Sequence, residues 1–194
     1  MAMFHQGNRT LQDKYGGRAV ADRIVDMVET DTFTDDFKAF VEAVPFFFLA
    51  TSSGETTDCS FKGGAPGFVR VTGPSQLIFP DYDGNRMYKS LGNILENPNV
   101  GLLFMNFGAE EGQGELYLRV RINGTAQIFD DHDALDTYPG AQRIVEVNVQ
   151  HIYPNCPRYV PHMQPVAPSR HIPEAGKEQP TPAWKTLPPI AELL

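Results

Sequence analysis

Apolar positions in the first 45 residues recur at helical spacing. Val20, Ile24, Met27 and Val28 form one stripe, and Phe37, Phe40, Val41 and Val44 form another. A shorter helix is predicted over residues 10–15, stopped by Gly16-Gly17. Thr34 suits the N-cap of the last of these helices. Asp35 and Asp36 fall in its first turn, where the helix dipole favours acids, and Pro45 ends it. From Phe46 the pattern changes to short apolar runs bounded by turn residues. Strands are predicted over residues 46–51, 57–62, 68–72, 77–80, 100–107, 115–129 and 143–153, with turns at Ser53-Gly54 and Gly73-Pro74. In the sixth, Leu116, Leu118, Val120 and Ile122 alternate with Tyr117, Arg119, Arg121 and Asn123, a period of two. One helix interrupts the strands at residues 86–96, with Leu91, Ile94 and Leu95 facing inward and Asn97-Pro98 closing it. A short helix is expected over residues 130–138.

Three segments follow: a helical one packing on a barrel (residues 1–45), the barrel (46–160) and a proline-rich tail (161–194). The fold class is mainly β with flanking helices (α+β), the strands rolled into a closed or partly closed barrel. Residues 100–107 are apolar at nearly every position, so both faces of that strand should be covered. A small barrel has an interior for only one; the N-terminal helices or a second copy of the chain must meet the other.

Of the 194 residues, 41% are hydrophobic and 21% charged, as in a packed protein. The longest apolar run, residues 44–50, is far short of the ~20 residues a membrane helix needs, and residues 1–17 lack the apolar core of a signal peptide. A cytoplasmic location is expected. The net charge of −8 argues against nucleic acid and anionic membranes as partners, though a few local cations suffice to hold a phosphate. Cys59 and Cys156 fit neither a disulfide framework nor a zinc set and read as reduced thiols.

The candidate chemistry is concentrated between Cys59 and Asn93. Cys59-Ser60-Phe61-Lys62-Gly63-Gly64-Ala65-Pro66-Gly67-Phe68-Val69-Arg70-Val71 joins a glycine-rich turn to hydroxyls and cations. Arg86, Lys89, Ser90 and Asn93 share a sector at the start of the internal helix, where backbone N–H groups favour an anion. On the helix alone, a solvated polar face is an equal alternative; the glycine-rich strand end beside it favours a ligand.

These two stretches resemble the pyridoxamine 5′-phosphate oxidase-like FMN-binding family, particularly members with a Lys-Gly-Gly-x-Pro-Gly-Phe-Val-Arg-Val strand and a Pro-Asp-x-x-Gly-Asn helix. Further matches are Phe48-Leu49-Ala50-Thr51, Asn97-Pro98-Asn99-Val100-Gly101-Leu102-Leu103-Phe104, the Arg119–Ala126 strand with Asn123-Gly124 at its end, and Asn155-Cys156-Pro157-Arg158-Tyr159. The resemblance implies an FMN-binding split β-barrel and a homodimer with FMN at the subunit interface. It implies that Arg86, Lys89 and Ser90 hold the phosphate with Asn93 nearby, their roles interchangeable. Ser60, Lys62, Arg70 and Val71 would line the ribityl chain and ring. Phe79, Pro80 and Asp81 would bracket the flavin, and Arg119 would be a polar flavin contact. An FMN-dependent oxidoreductase acting on a small substrate is the leading reading. A non-catalytic electron carrier or redox sensor is the alternative, and a deazaflavin stays open as cofactor. The tail segment Ala183-Trp184-Lys185-Thr186-Leu187-Pro188 lacks the arginine that true pyridoxamine phosphate oxidases use for their substrate, so a B6 vitamer is not the expected substrate.

Other motifs do not hold. Asp81-Tyr82-Asp83-Gly84-Asn85 begins like a calcium loop but has Arg86 at the sixth position and Gly92 at the twelfth. Gly112-Gln113-Gly114 lacks the third glycine of a dinucleotide fingerprint. His132 among Asp130, Asp131 and Asp133 reads as a cap, and no metal is expected.

Overall fold

A computed structural model describes residues 2–108 and 117–193. Three helices open the chain: α1 (Gln6–Lys14), α2 (Arg18–Val28) and α3 (Asp35–Ala43). The first starts earlier than its apolar residues suggest, because His5 caps it: the His5 ring accepts from Gly7 N–H and Asn8 Oδ1 accepts from His5 N–H, each at 3.0 Å. Thr34 caps α3 as expected, accepting from Phe37 N–H at 3.2 Å.

The strands are β1 (Phe46–Ser52), β2 (Thr57–Gly63), β3 (Arg70–Gly73), β4 (Gln76–Tyr82), β5 (Asn99–Met105), β6 (Arg119–Phe129) and β7 (Ala141–Pro154), with α4 (Lys89–Glu96) between β4 and β5. They form one antiparallel sheet in the order β2-β1-β5-β6-β7-β4-β3. The expected class, mainly β with flanking helices, is the one observed. Phe47 on β1 and Phe79 on β4 have ring centroids 5.0 Å apart although β5, β6 and β7 lie between their strands in the sheet. Only a rolled sheet brings them together. Its core holds Phe47, Leu49, Phe79, Leu102, Phe104, Val120, Ile122 and Ile152, all essentially inaccessible.

The roll is split where the end strands β2 and β3 fail to meet. There α3 closes the gap: the Glu42 carbonyl accepts from Gly67 N–H at 2.7 Å, its carboxylate from Val71 N–H at 2.9 Å, and the Pro45 carbonyl from Gly64 N–H at 3.0 Å. Phe37, Phe40 and Val41 bury the apolar side of α3. By contrast, α1 and α2 bury no residue, and Val20, Ile24 and Met27 face solvent.

Four expectations need correction. The internal helix begins at Lys89, not residue 86. Arg86 (φ 59) and Tyr88 (φ 50) are left-handed, and Asn85 Oδ1 accepts from Met87 N–H at 3.0 Å, so a side-chain turn replaces the first helical turn. Leu95 of that helix is 77% exposed; the inner positions are Ser90, Leu91, Asn93 and Ile94. Residues 130–138 contain only a 3₁₀ turn at Leu135–Thr137, because His132 Nδ1 takes the Ala134 N–H and Thr137 Oγ1 donates to the Ala134 carbonyl. Asn123-Gly124 does not end a strand: it is a bulge in β6, which continues to Phe129. Residues 115 and 116, expected in the same strand, lie outside the described residues.

The segment after β7 has no strand among the described residues. It carries a 3₁₀ turn at Ala183–Thr186 and one helical turn, α5 (Pro188–Ala191). No helix is long and apolar enough to cross a membrane among the described residues.

Candidate functional site

Alternation along β2 sends Asp58, Ser60 and Lys62 to the same side as the core residues Thr51, Leu49 and Phe47 of β1, their partners in register. Because β2 is an end strand, that side is not covered by a further strand. It is met by α4, which packs on β1 and β2, and by the loop from β4 to α4. The result is a cleft of about 470 Å³ lined by Asp58, Ser60, Phe61 and Lys62 of β2, Asp81 and Tyr82 of β4, the loop residues Gly84 to Tyr88, and Lys89, Ser90 and Leu91 of α4. Its size is in the range of small-ligand clefts.

Among the described residues no side chain caps α4, and its first internal hydrogen bond runs from Gly92 N–H to the Tyr88 carbonyl at 2.7 Å. The amides of Lys89, Ser90 and Leu91 therefore head the helix without intrahelical acceptors, and all three residues line the cleft. Lys62, Arg86 and Lys89 line the same cleft, outnumbering its carboxylates Asp58 and Asp81. The helix end and the cations both favour an anion.

The buried Ser90 hydroxyl donates to Asp58 Oδ2 at 3.0 Å and lies 2.9 Å from Ser60 Oγ. Ser90 has one proton, so Ser60 must be the donor between the two hydroxyls, giving a relay Ser60 to Ser90 to Asp58. Asp81 is neutralised from behind: Arg143 donates to it at 3.1 Å, and the same guanidinium lies 5.3 Å from the Tyr88 ring. Burial raises the Tyr82 phenol above its ordinary pKa, with Arg70 pulling the other way.

Of the residues singled out in the sequence, Ser60, Lys62, Asp81, Arg86, Lys89 and Ser90 line this one cleft. The others do not. Arg70 donates to Thr137 Oγ1 at 2.6 Å and lies 3.8 Å over the Tyr138 ring. Val71 is held by Glu42, Phe79 is in the core and Pro80 is buried beside it. Asn93 is buried behind the cleft and donates to Thr51 Oγ1 at 3.1 Å. Arg119 donates to the Cys156 carbonyl at 2.6 Å. Sequence reasoning missed Asp58, Phe61, Tyr82, Asn85, Met87 and Tyr88. For Asp58 the signal was present, since it stands at period two with Ser60 and Lys62.

A second cavity, of about 730 Å³, lies on the opposite face of β1 and β2. Phe46, Phe48, Phe61 and Phe107 line it together with α3 and residues 163–165. Phe46 stacks on Phe61 and on Phe107, with centroids 5.3 and 6.0 Å apart. Phe61, shared by both cavities, is 63% exposed.

A rolled antiparallel sheet with an anion-favouring cleft at its open edge defines the class of protein. A family model described as pyridoxamine 5′-phosphate oxidase matches residues 33–172, which span all seven strands. The chain belongs to the pyridoxamine 5′-phosphate oxidase family. Among curated proteins none matches it. Similar solved structures include Group A Streptococcus HupZ (16% identity over 64% of this chain and 98% of that one, TM-score 0.46). They also include an FMN-binding protein from Syntrophomonas wolfei subsp. wolfei (8%, 75% and 97%, TM-score 0.44). A third is General Stress Protein 26 from Bacillus anthracis (16%, 62% and 95%, TM-score 0.40). At these identities the likeness says nothing of what this chain binds.

Proposed function

We propose that the chain is an FMN-binding flavoprotein acting as an oxidoreductase on a small substrate, and that it works as a homodimer with FMN at the subunit interface. The observation that carries this reading is the uncapped start of α4 meeting Lys62, Arg86 and Lys89 in one cleft. That donor set fits a phosphate ester. Arg86 and Lys89 would hold its charge and the amides of Lys89 to Leu91 its oxygens. Ser60 and Lys62 would take the polar chain beyond it, with Tyr82 and Phe61 as aromatic walls. FMN, when bound, supplies the hydride or electron transfer; the residues supply binding, orientation and charge. Lys62 would favour negative charge developing on a bound ring. The aromatic face at Phe46, Phe48, Phe61 and Phe107 supports the dimer, since a lone chain leaves it half-covered.

The test is direct. Protein purified without added cofactor should be yellow, and mass spectrometry of the ligand released on denaturation should give the mass of FMN. A deazaflavin mass would correct the cofactor and keep the cleft. Colourless protein that also takes up no added FMN would remove the reading altogether.

A further inference from the structure

The loop from β4 to α4 supplies much of the cleft, yet it is built against local preference. Arg86 and Tyr88 both hold left-handed backbone, which costs non-glycine residues free energy and persists only where the surroundings over-determine it. Two of the restraints come from the sheet and from the loop itself: Arg143, which joins Asp81 to the Tyr88 ring, and the Asn85 turn onto Met87. A third comes from far along the chain. Lys185, in the 3₁₀ turn at Ala183–Thr186, donates to Asp83 Oδ2, across a separation of 102 residues. Its side chain is only 15% exposed.

The path that brings Lys185 there is anchored. Met163 N–H donates to the Phe107 carbonyl at 2.8 Å, and Pro173 packs on Gly140. The tail thus crosses the body before it reaches the cleft loop.

We infer that Lys185 is a positioning residue: through Asp83 it latches the strained loop in the shape that presents Arg86 and Lys89 to the cleft, so that the tail sets how tightly the cleft holds its ligand. The latch rests on the reading of the cleft as a phosphate site for its role, but not for its existence. By reciprocity, a ligand that orders the loop also tightens the tail.

Amide hydrogen exchange on the full chain reads residues 82–90 without any ligand. In Lys185→Ala, exchange there should rise about two- to fivefold, the span that a partly exposed ion pair can contribute. Amides of β6 and β7 should keep their wild-type rates. The exchanged pair Asp83→Lys with Lys185→Asp should restore most of the protection. FMN titration, followed by flavin fluorescence, should show Kd raised by a similar factor in Lys185→Ala and returned towards wild type in the exchanged pair. Unchanged loop exchange overturns the latch, as does a rise spread equally over β6 and β7. Faster loop exchange with an unaltered Kd overturns the positioning role. Faster exchange in a protein whose wild-type form takes up no FMN keeps the latch and removes the cofactor reading instead.

Discussion

Arg86 reaches the cleft from a left-handed loop position, Lys89 from the first residue of α4, so the two cations approach from different elements. A charge-assisted hydrogen bond contributes ~1.5–3 kcal/mol. Arg86→Ala should then weaken FMN binding by about tenfold or more, at one decade per ~1.4 kcal/mol. Riboflavin, without the phosphate, should lose far less; a titration showing equal losses would remove Arg86 from the phosphate. Tyr138 makes a separate case. Its hydroxyl is buried with no hydrogen-bond partner among the described residues, and burial pushes its pKa up to about 12, with Arg70 acting in the opposite direction. The folded chain holds this proton more tightly than the unfolded one, whose phenol titrates near 10. Stability from this group is complete below about pH 10 and falls as pH climbs towards about 12. Tyr138→Phe should leave stability at pH 7 unchanged or higher. It should also flatten that alkaline decline in a series of thermal melts. Residues of the cleft were legible where a motif groups them, Ser60 and Lys62 in the glycine-rich stretch and Lys89 and Ser90 at the start of the internal helix. Asn93 shares the helical sector in sequence but turns inward to Thr51, a choice made by tertiary packing and invisible to spacing.

Elements were legible in kind and less so at their ends. Apolar periodicity identifies α3 and all seven strands because burial of one face is what selects them; it also marks α2, whose stripe nevertheless faces solvent. The start of α4 was misplaced because nothing in Arg86-Met87-Tyr88 announces a left-handed turn; Asn85 is the one local signal. The bulge in β6 is hidden for a different reason, since the period-two pattern predicts one uninterrupted strand over residues 115–129. Here the glycine is required: a Cβ on Gly124 would lie 2.3 Å from the Asn148 carbonyl oxygen and 3.1 Å from the Val149 Cα, both backbone atoms of the paired strand. Gly124→Ala should therefore force β6 and β7 apart and destabilise the fold by roughly 1–3 kcal/mol, as overpacking typically does. The urea unfolding midpoint measures this, and an unchanged midpoint would mean the bulge relaxes freely.

For the whole molecule, the rolled sheet leaves an aromatic face partly open, and the strand that is apolar on both sides, β5, presents Leu103 and Met105 to it. An obligate dimer interface buries on the order of 2,000 Å² or more. Light scattering at micromolar concentration should give twice the chain mass of 21.6 kDa, and added FMN should raise the melting temperature. A monomer that retains flavin would refute both the dimer and the shared site. Pyridoxamine 5′-phosphate should be oxidised negligibly, because the residue beside Trp184 is Lys185, already engaged with Asp83, and not an arginine. Saturable turnover of that vitamer would overturn the expectation.

β2 serves two surfaces at once. Asp58, Ser60 and Lys62 face the cleft, while Cys59 and Phe61 pair in register with Ala50 and Phe48 on the aromatic side. A single inserted residue within Thr57–Gly63 would exchange these sets, placing a phenyl ring among the anion donors and an ammonium group among the phenylalanines. The turn at Ser53 to Thr56, closed by Ser53 N–H to the Thr56 carbonyl at 3.0 Å, lies outside that register. Length changes in this chain are therefore tolerable at the hairpin tip and doubly harmful three residues later, where one strand carries the phase of both the polar cleft and the aromatic face.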